Sequence, residues 1–146
     1  MTESTIAFVT AQLKLDGGFK GRPCLDSRSI VTIGYGRNLD DHGISEPEAA
    51  VMLGNDIASA LSALRLKIGA FDSFSEARQA ALLNMCFNMG IAKLMTFQKM
   101  IAALENNDPY TAGKEMKEST WYSQVHAKRA DPLIAQMQTG LFPKEA

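Results

Sequence analysis

Two polar residues in a glycine-rich stretch are the first candidates for chemistry in this sequence. Asp26 and Thr32 lie six positions apart and follow the segment Asp16-Gly17-Gly18. Carboxyl side chains can donate and accept protons, so acid–base chemistry is the kind of reaction that this stretch could support. Taken alone, Asp26 also fits an ordinary turn residue, and Thr32 an ordinary strand residue.

A second group of candidate side chains lies in the C-terminal half of the chain: Asn84, Phe87, Asn88, Trp121 and Arg129. Each has a structural alternative. Phe87 is expected in the core, and the two asparagines could satisfy buried backbone groups. Trp121 could be a packing residue with a partly exposed edge, and Arg129 could be a solvated charge at a helix start.

The composition is that of an ordinary globular chain. Its 146 residues are 46% hydrophobic, which suits one domain or two small lobes. The formal net charge of −1 gives no global electrostatic case for binding nucleic acid. Two free thiols are favoured for Cys24 and Cys86, although one long-range disulfide stays open. His42 and His126 are isolated, so we expect no metal site, and nothing implies an organic cofactor.

The hydropathy pattern predicts neither membrane insertion nor secretion by an ordinary signal peptide. No apolar run approaches the roughly 20 residues that a transmembrane helix needs. The N-terminus has no basic segment before an apolar stretch. We therefore expect the protein to accumulate in the cytoplasm.

The residue pattern predicts helices around one small sheet. Glycines and the β-prone run 30–33 predict an antiparallel sheet within residues 18–44. Two capping boxes, Ser45 with Glu48 and Ser73 with Glu76, predict the starts of a long amphipathic helix and of a central buried helix. The predicted helices cover 5–15, 45 to about 67, 73 to about 88, 96–104, a helix from 108, 119–124 and 129–139.

Read in order, these segments resemble the active-site signature of phage-type (T4-like) lysozymes. The resemblance is carried by Leu15-Asp16-Gly17-Gly18-Phe19, Leu25-Asp26-Ser27, Thr32-Ile33-Gly34-Tyr35-Gly36, Asn84 to Gly90, Trp121-Tyr122, Arg129-Ala130 and Thr139-Gly140. It extends from about residue 8 to about residue 142. The motifs are specific as an ordered set and not one by one.

The resemblance implies an α+β lysozyme-like fold in one domain, residues 1–146. A small antiparallel β lobe (about 16–44) and a larger helical lobe (about 68–142, together with the N-terminal helix 4–16) are joined by a long helix (about 45–67). A sugar-binding cleft is expected between the lobes.

The resemblance also implies a peptidoglycan muramidase, an endolysin that hydrolyses the β-1,4 bond between N-acetylmuramic acid and N-acetylglucosamine. The family's general acid falls at Gly17, while Asp26 with Thr32 would position or activate water, with inversion at the sugar carbon. Asn84, Phe87, Asn88, Trp121 and Arg129 are expected on the substrate side, with Arg129 pairing with the acid.

The expected partners are peptidoglycan glycan strands, with no nucleic acid and no membrane insertion, and the protein is expected to act as a monomer. The resemblance implies synthesis in the host cytoplasm and action on the periplasmic wall after release by a separate factor such as a holin.

Three residues depart from the family pattern around the expected site. Gly17 replaces the acidic residue, although glycine is favoured at helix ends; Cys24 replaces a tyrosine; and Ser29 replaces a turn glycine. The expected form is therefore a strongly impaired or inactive muramidase. Three alternatives stay open: a non-catalytic peptidoglycan-binding module, an active hydrolase that uses Asp16 as its acid, and a structural role unrelated to sugar.

Overall fold

The computed structural model describes residues 1–144, in which a mostly helical chain carries one small sheet. The strands are β1 (Lys20–Leu25), β2 (Val31–Gly34) and β3 (Arg37–Asn38). The helices are α1 (Glu3–Gly17), α2 (Leu39–His42), α3 (Glu46–Lys67), α4 (Glu76–Met89), α5 (Ile91–Leu94), α6 (Gln98–Glu105), α7 (Pro109–Lys117), α8 (Thr120–Val125) and α9 (Ala127–Thr139), with a 3-10 helix at Phe71–Ser73. The predicted α+β class is confirmed.

The chain divides into two compact units, Met1–Val51 and the residues from Met52 onward. The first unit holds α1, the sheet and α2, and the second holds α4 to α9. Helix α3 is continuous across the boundary. None of the helices within residues 1–144 is long and apolar enough to cross a membrane.

The sheet of the first unit is antiparallel in the order β1-β2-β3. Cys24 pairs with Thr32 and Leu25 with Val31, while the register is irregular between Lys20 and Cys24. Pro23 lies in that irregular stretch and has no backbone N–H to donate to a neighbouring strand. The small sheet predicted within residues 18–44 is therefore confirmed, and its regular pairing lies beside the turn that carries Asp26.

Helix α1 begins earlier and ends later than its apolar pattern predicts. The Thr2 hydroxyl caps it by accepting a hydrogen bond from the Thr5 N–H. At the other end, Gly18 takes a φ of 63° and its N–H donates to the Lys14 carbonyl. No residue of α1 is buried, so its apolar side chains are exposed.

Helix α3 starts at the predicted capping box. The Glu48 carboxylate accepts from both the backbone N–H and the hydroxyl of Ser45, and Ser45 Oγ accepts from the Glu48 N–H. Glu48 also accepts a hydrogen bond from Arg37 on β3. The predicted apolar stripe is buried only near the helix end, at Leu64 and beyond it at Ile68.

The predicted capping box at Ser73 is wrong, because Ser75 caps α4 by accepting from the Arg78 N–H. Ser73 ends the 3-10 helix, where its hydroxyl donates to the Ala70 carbonyl at 2.6 Å. Ser73 and Ser75 are two positions apart, and either could serve as the N-cap of α4. A turn of 3-10 helix over Phe71–Ser73 moves the start of α4 toward the C-terminus, so Ser75 becomes the cap.

The hydrophobic core of the second unit is formed around α4, with α6, α7 and α9 contributing. Its largest fully buried side chains are Leu64, Ile68, Phe71, Leu82, Met85, Leu94, Met100, Met116, Trp121 and Met137. Methionine is well represented because its flexible thioether fills irregular gaps between short helices. The prediction that α4 is the central buried helix is confirmed for one face only, since Asn84, Phe87 and Asn88 are exposed.

We expect Leu82→Ala to lower the free energy of unfolding of the second unit by about 2–5 kcal/mol, because it leaves a cavity in this core. Trp121 is the only tryptophan and lies in the same core, so its fluorescence during urea unfolding reports on this unit. Leu66→Ala is the matched control, since Leu66 is an exposed leucine on a helix and should cost less than about 0.5 kcal/mol. Equal losses in both variants would contradict the assigned core.

Candidate active site

Asp26 organises the turn between β1 and β2. Its Oδ1 accepts hydrogen bonds from the backbone N–H groups of Arg28 at 2.8 Å and Ile30 at 2.9 Å. Its own N–H donates to the Ile30 carbonyl at 2.9 Å, and the Ser29 N–H donates to the Asp26 carbonyl at 3.0 Å. One carboxylate oxygen is therefore committed to the turn, while the other has only a 3.9 Å contact with Arg28.

These contacts lower the pKa of Asp26 and so favour its ionised form. The hydrogen bonds from Ile30 and Arg28 lower the pKa of the Asp26 carboxyl below 3.8, and the Arg28 charge adds a smaller contribution. Partial burial acts in the opposite direction and does not prevail. An ordinary aspartate is already ionised at neutral pH, and these hydrogen bonds favour the carboxylate further, which suits a base or an electrostatic role and does not suit a proton donor.

Thr32 lies on β2 in the same hairpin, half-buried. Its hydroxyl donates to the Cys24 carbonyl at 3.4 Å and lies 3.7 Å from the Cys24 sulfur. Cys24 is its cross-strand partner in the sheet register. The hairpin therefore brings Asp26 and Thr32 into one local structure, as expected, and the thiol at Cys24 occupies the space beside the hydroxyl.

Gly17 is the last residue of α1 and lies next to the turn after β2. A Cβ added to Gly17 would meet the Tyr35 carbonyl oxygen at 3.7 Å, an ordinary van der Waals contact, and its φ is not left-handed. The suggestion that glycine is favoured here by the helix end is wrong, because the left-handed residue is Gly18. Position 17 therefore accepts a side chain without backbone strain.

Three of the expected substrate-side residues line one groove in the second unit. Arg129 at the start of α9 donates from Nη2 to Asn84 Oδ1 on α4 at 3.2 Å. Both residues and Phe87 line a groove of about 340 Å³, whose other walls are Leu53, Ile57, Ala80 and Leu83. No carboxylate forms an ion pair with Arg129 among residues 1–144, and the exposed guanidinium stays solvated.

The expectation that Phe87 belongs to the core is wrong, since its side chain is 47% exposed. The apolar residues of α4 surround the helix, but the core takes only the face of Ala81, Leu82 and Met85. Phe87 follows on the other face with Asn84. Composition alone could not reveal which face of an almost uniformly apolar helix would be covered.

Trp121 and Asn88 form a separate pair. The indole Nε1–H donates to Asn88 Oδ1 at 3.3 Å, and the Trp121 ring is fully buried among the core residues. Neither residue lines the groove of Asn84 and Arg129. In this structure Trp121 packs, and Asn88 satisfies a buried donor rather than a backbone group.

The family model described as phage lysozyme matches residues 14–138. This chain belongs to the phage lysozyme family. The match includes Gly17, Asp26 and Thr32 and extends through Arg129, so both groups of expected site residues lie within the family's matched segment.

Two curated relatives come from Dictyostelium discoideum, "Probable T4-type lysozyme 1" and "Probable T4-type lysozyme 2". Each is 33% identical over 70 residues, which is 48% of this chain and 41% of the relative. The matched part of the chain thus spans about two fifths of the length of these relatives.

One feature near position 17 was missed by sequence reasoning. The rings of Phe19 and Tyr35 contact each other with centroids 5.6 Å apart, and Lys14 Nζ lies 5.4 Å from the centroid of the Tyr35 ring. All three residues are exposed. The available signal was the placement of two aromatic residues immediately beside the glycines of the two turns.

The two cysteines do not form a disulfide. Cys24 and Cys86 are free thiols, as the sequence favoured, and burial raises the pKa of the Cys86 thiol. Within residues 1–144 no three histidine, cysteine, aspartate or glutamate side chains lie close enough together to hold a metal ion.

Because the native pKa of Asp26 is depressed, its ionisation stabilises the fold above the unfolded pKa, and this contribution is lost as the pH falls through the folded pKa. We expect a carboxyl ¹³C titration to place Asp26 below 3.8. The difference in Tm between the parent and Asp26→Asn should shrink as the pH falls through that value. A measured pKa of 3.8 or above would contradict the assigned hydrogen bonds.

Ser29 has a φ of 63°, a left-handed conformation that costs a non-glycine residue about 1–2 kcal/mol. We expect Ser29→Gly to stabilise the turn by about 0.5–1 kcal/mol after the extra chain entropy of glycine is subtracted. Slower hydrogen exchange at the Asp26 and Ile30 amides would show it. Ser27→Gly is the control, because Ser27 has no positive φ and should gain nothing. Similar exchange in both variants would count against strain at Ser29.

Proposed function

We propose that this chain is a muramidase-type peptidoglycan-binding protein of the phage lysozyme family whose hydrolytic activity is strongly impaired because Gly17 occupies the position of the general acid. The observation that carries the proposal is the local structure around the family signature. An ionised Asp26 and a half-buried Thr32 share one hairpin, while the end of α1 presents no side chain toward the turn after β2.

Glycosidic hydrolysis uses two carboxyl functions with opposite protonation states. The base must be ionised to activate or orient water. An ordinary aspartate meets this requirement at neutral pH, and the backbone hydrogen bonds to Asp26 favour the ionised form further. Thr32 adds a hydroxyl on the same hairpin. The reaction proposed for the family's intact site is attack of this water at the sugar carbon while an acid protonates the departing oxygen.

The acid half of this chemistry has no donor at position 17. General acid catalysis contributes typically about 10²–10⁴-fold to a rate, and a sugar alkoxide leaves poorly without a proton. Asp16 is exposed and adjacent in sequence, but one residue along a helix rotates a side chain by about 100°. We therefore propose that Asp16 does not replace the acid.

A second candidate function is non-catalytic binding of peptidoglycan. It is favoured by the groove of Asn84, Phe87 and Arg129, whose polar groups do not depend on position 17. Binding without cleavage and impaired cleavage predict the same behaviour for the parent chain. They differ in what an added acid does.

Gly17→Glu is expected to raise the rate of hydrolysis of purified peptidoglycan by at least about 100-fold, because it adds the acid at a position that has room for it. The rate is measured as the release of new reducing ends. Gly17→Gln is the matched control, since glutamine has nearly the same shape and no transferable proton, and it should leave the rate at the parent level.

Three outcomes separate the alternatives. Hydrolysis by Gly17→Glu that disappears in Gly17→Glu with Asp26→Asn supports the muramidase proposal. Hydrolysis by the parent that disappears in Asp16→Asn would overturn it in favour of another acid. Sedimentation of all variants with peptidoglycan, with no cleavage by any, would leave the binding module as the function.

A further inference from the structure

Two large aromatic side chains contact each other on the surface of the first unit. Phe19 is 68% exposed and Tyr35 is 49% exposed, and their rings are tilted by 54°. Aromatic rings usually bury most of their area in a core or an interface. A contiguous exposed pair is therefore the type of surface that marks a binding site.

The pair borders the position at which the family carries its acid. The Tyr35 carbonyl oxygen is the nearest group to a side chain at position 17, at 3.7 Å from its Cβ. Phe19 follows the left-handed turn at Gly18, and its ring lies over Gly21, whose Cβ would meet the ring at 3.4 Å. Both aromatic residues therefore lie close to position 17.

The charge next to the pair is positive. Lys14 Nζ lies over the Tyr35 ring, and no carboxylate forms an ion pair with Lys14 in the part of the chain that the structure describes. Residues 14–22 contain three basic side chains and one acidic one. The near-neutral charge of the whole chain conceals this local excess.

We propose that Phe19, Tyr35 and Lys14 form a platform that binds one sugar residue of an acidic glycan beside position 17. The C–H face of a pyranose ring packs on the exposed aromatic surface, whose π faces are electronegative. Lys14 pairs with a carboxylate carried by that sugar or its substituent. The inference rests on the proposed function and deepens it, because peptidoglycan combines pyranose rings with carboxylates.

The parent protein suits a binding experiment, because without an acid at position 17 it should bind glycan with little turnover. The probe is soluble peptidoglycan glycan strands with attached stem peptides, titrated calorimetrically. We expect Phe19→Ala and Tyr35→Ala each to raise the Kd about tenfold, whereas Phe19→Tyr, which keeps a ring, should stay within about threefold of the parent.

Two controls test the details. Tyr110→Ala removes an aromatic side chain that is 70% exposed on α7 in the second unit, and it should leave the Kd unchanged. Lys14→Gln should raise the Kd for the peptidoglycan strands. It should leave the Kd for chitohexaose unchanged, because chitohexaose has pyranose rings and no carboxylate. Circular dichroism spectra that match the parent's show that the variants are folded.

The outcomes keep the two proposals apart. If the parent binds the strands and Phe19→Ala binds equally well, the platform is overturned and the proposed function stands. If Lys14→Gln weakens both probes alike, the carboxylate contact is overturned. If the parent binds no peptidoglycan and Gly17→Glu does not cleave it, the proposed function fails and the platform fails with it.

Discussion

The hydrogen bonds that the Asp26 carboxylate accepts from the amides of Arg28 and Ile30 are the interaction on which the first unit most depends. They close the turn between β1 and β2 and compensate for the left-handed conformation of Ser29. The same bonds lower the pKa of the Asp26 carboxyl and so favour its ionised form. Because one side chain both shapes the turn and carries the charge, the structural and the functional interpretations of Asp26 do not compete.

Position 17 lies at the end of α1, where the local backbone accepts either glycine or a residue with a side chain. The left-handed residue that ends α1 is Gly18, so the chain turn does not need glycine at 17. The neighbouring Tyr35 backbone leaves room for a side chain. The end of α1 is thus compatible with either an active or a silent site.

In the second unit, the core and a surface groove lie on opposite faces of α4. One face supplies Ala81, Leu82 and Met85 to a core that also encloses Trp121. The other presents Asn84 and Phe87 to a groove in which Arg129 donates a hydrogen bond to the Asn84 amide oxygen. The Arg129 side chain is exposed, so water solvates its remaining donors.

Local chemistry explains why most elements were predictable. The cap of Ser45 with Glu48, the Asp108–Pro109 start of α7 and the Gly140 end of α9 depend on neighbours within one helical turn, so the sequence predicts them directly. The short helices α2 and α5 were missed, since one turn of helix leaves no periodic pattern. The choice between Ser73 and Ser75 as a cap depended on a 3-10 turn that no local rule favoured.

The candidate site likewise has some features that the sequence predicts and others that depend on packing. The sequence by itself determined the class of fold and the family, and it nominated Asp26 and Thr32 as candidate site residues, because motif spacing along the chain does not depend on how the elements pack. Only the tertiary structure decided that Phe87 is exposed and that Trp121 binds Asn88. It also decided that Phe19 and Tyr35 share a surface beside position 17. Burial and contact between residues distant in sequence arise from how elements pack, and a pattern along the chain does not contain that information.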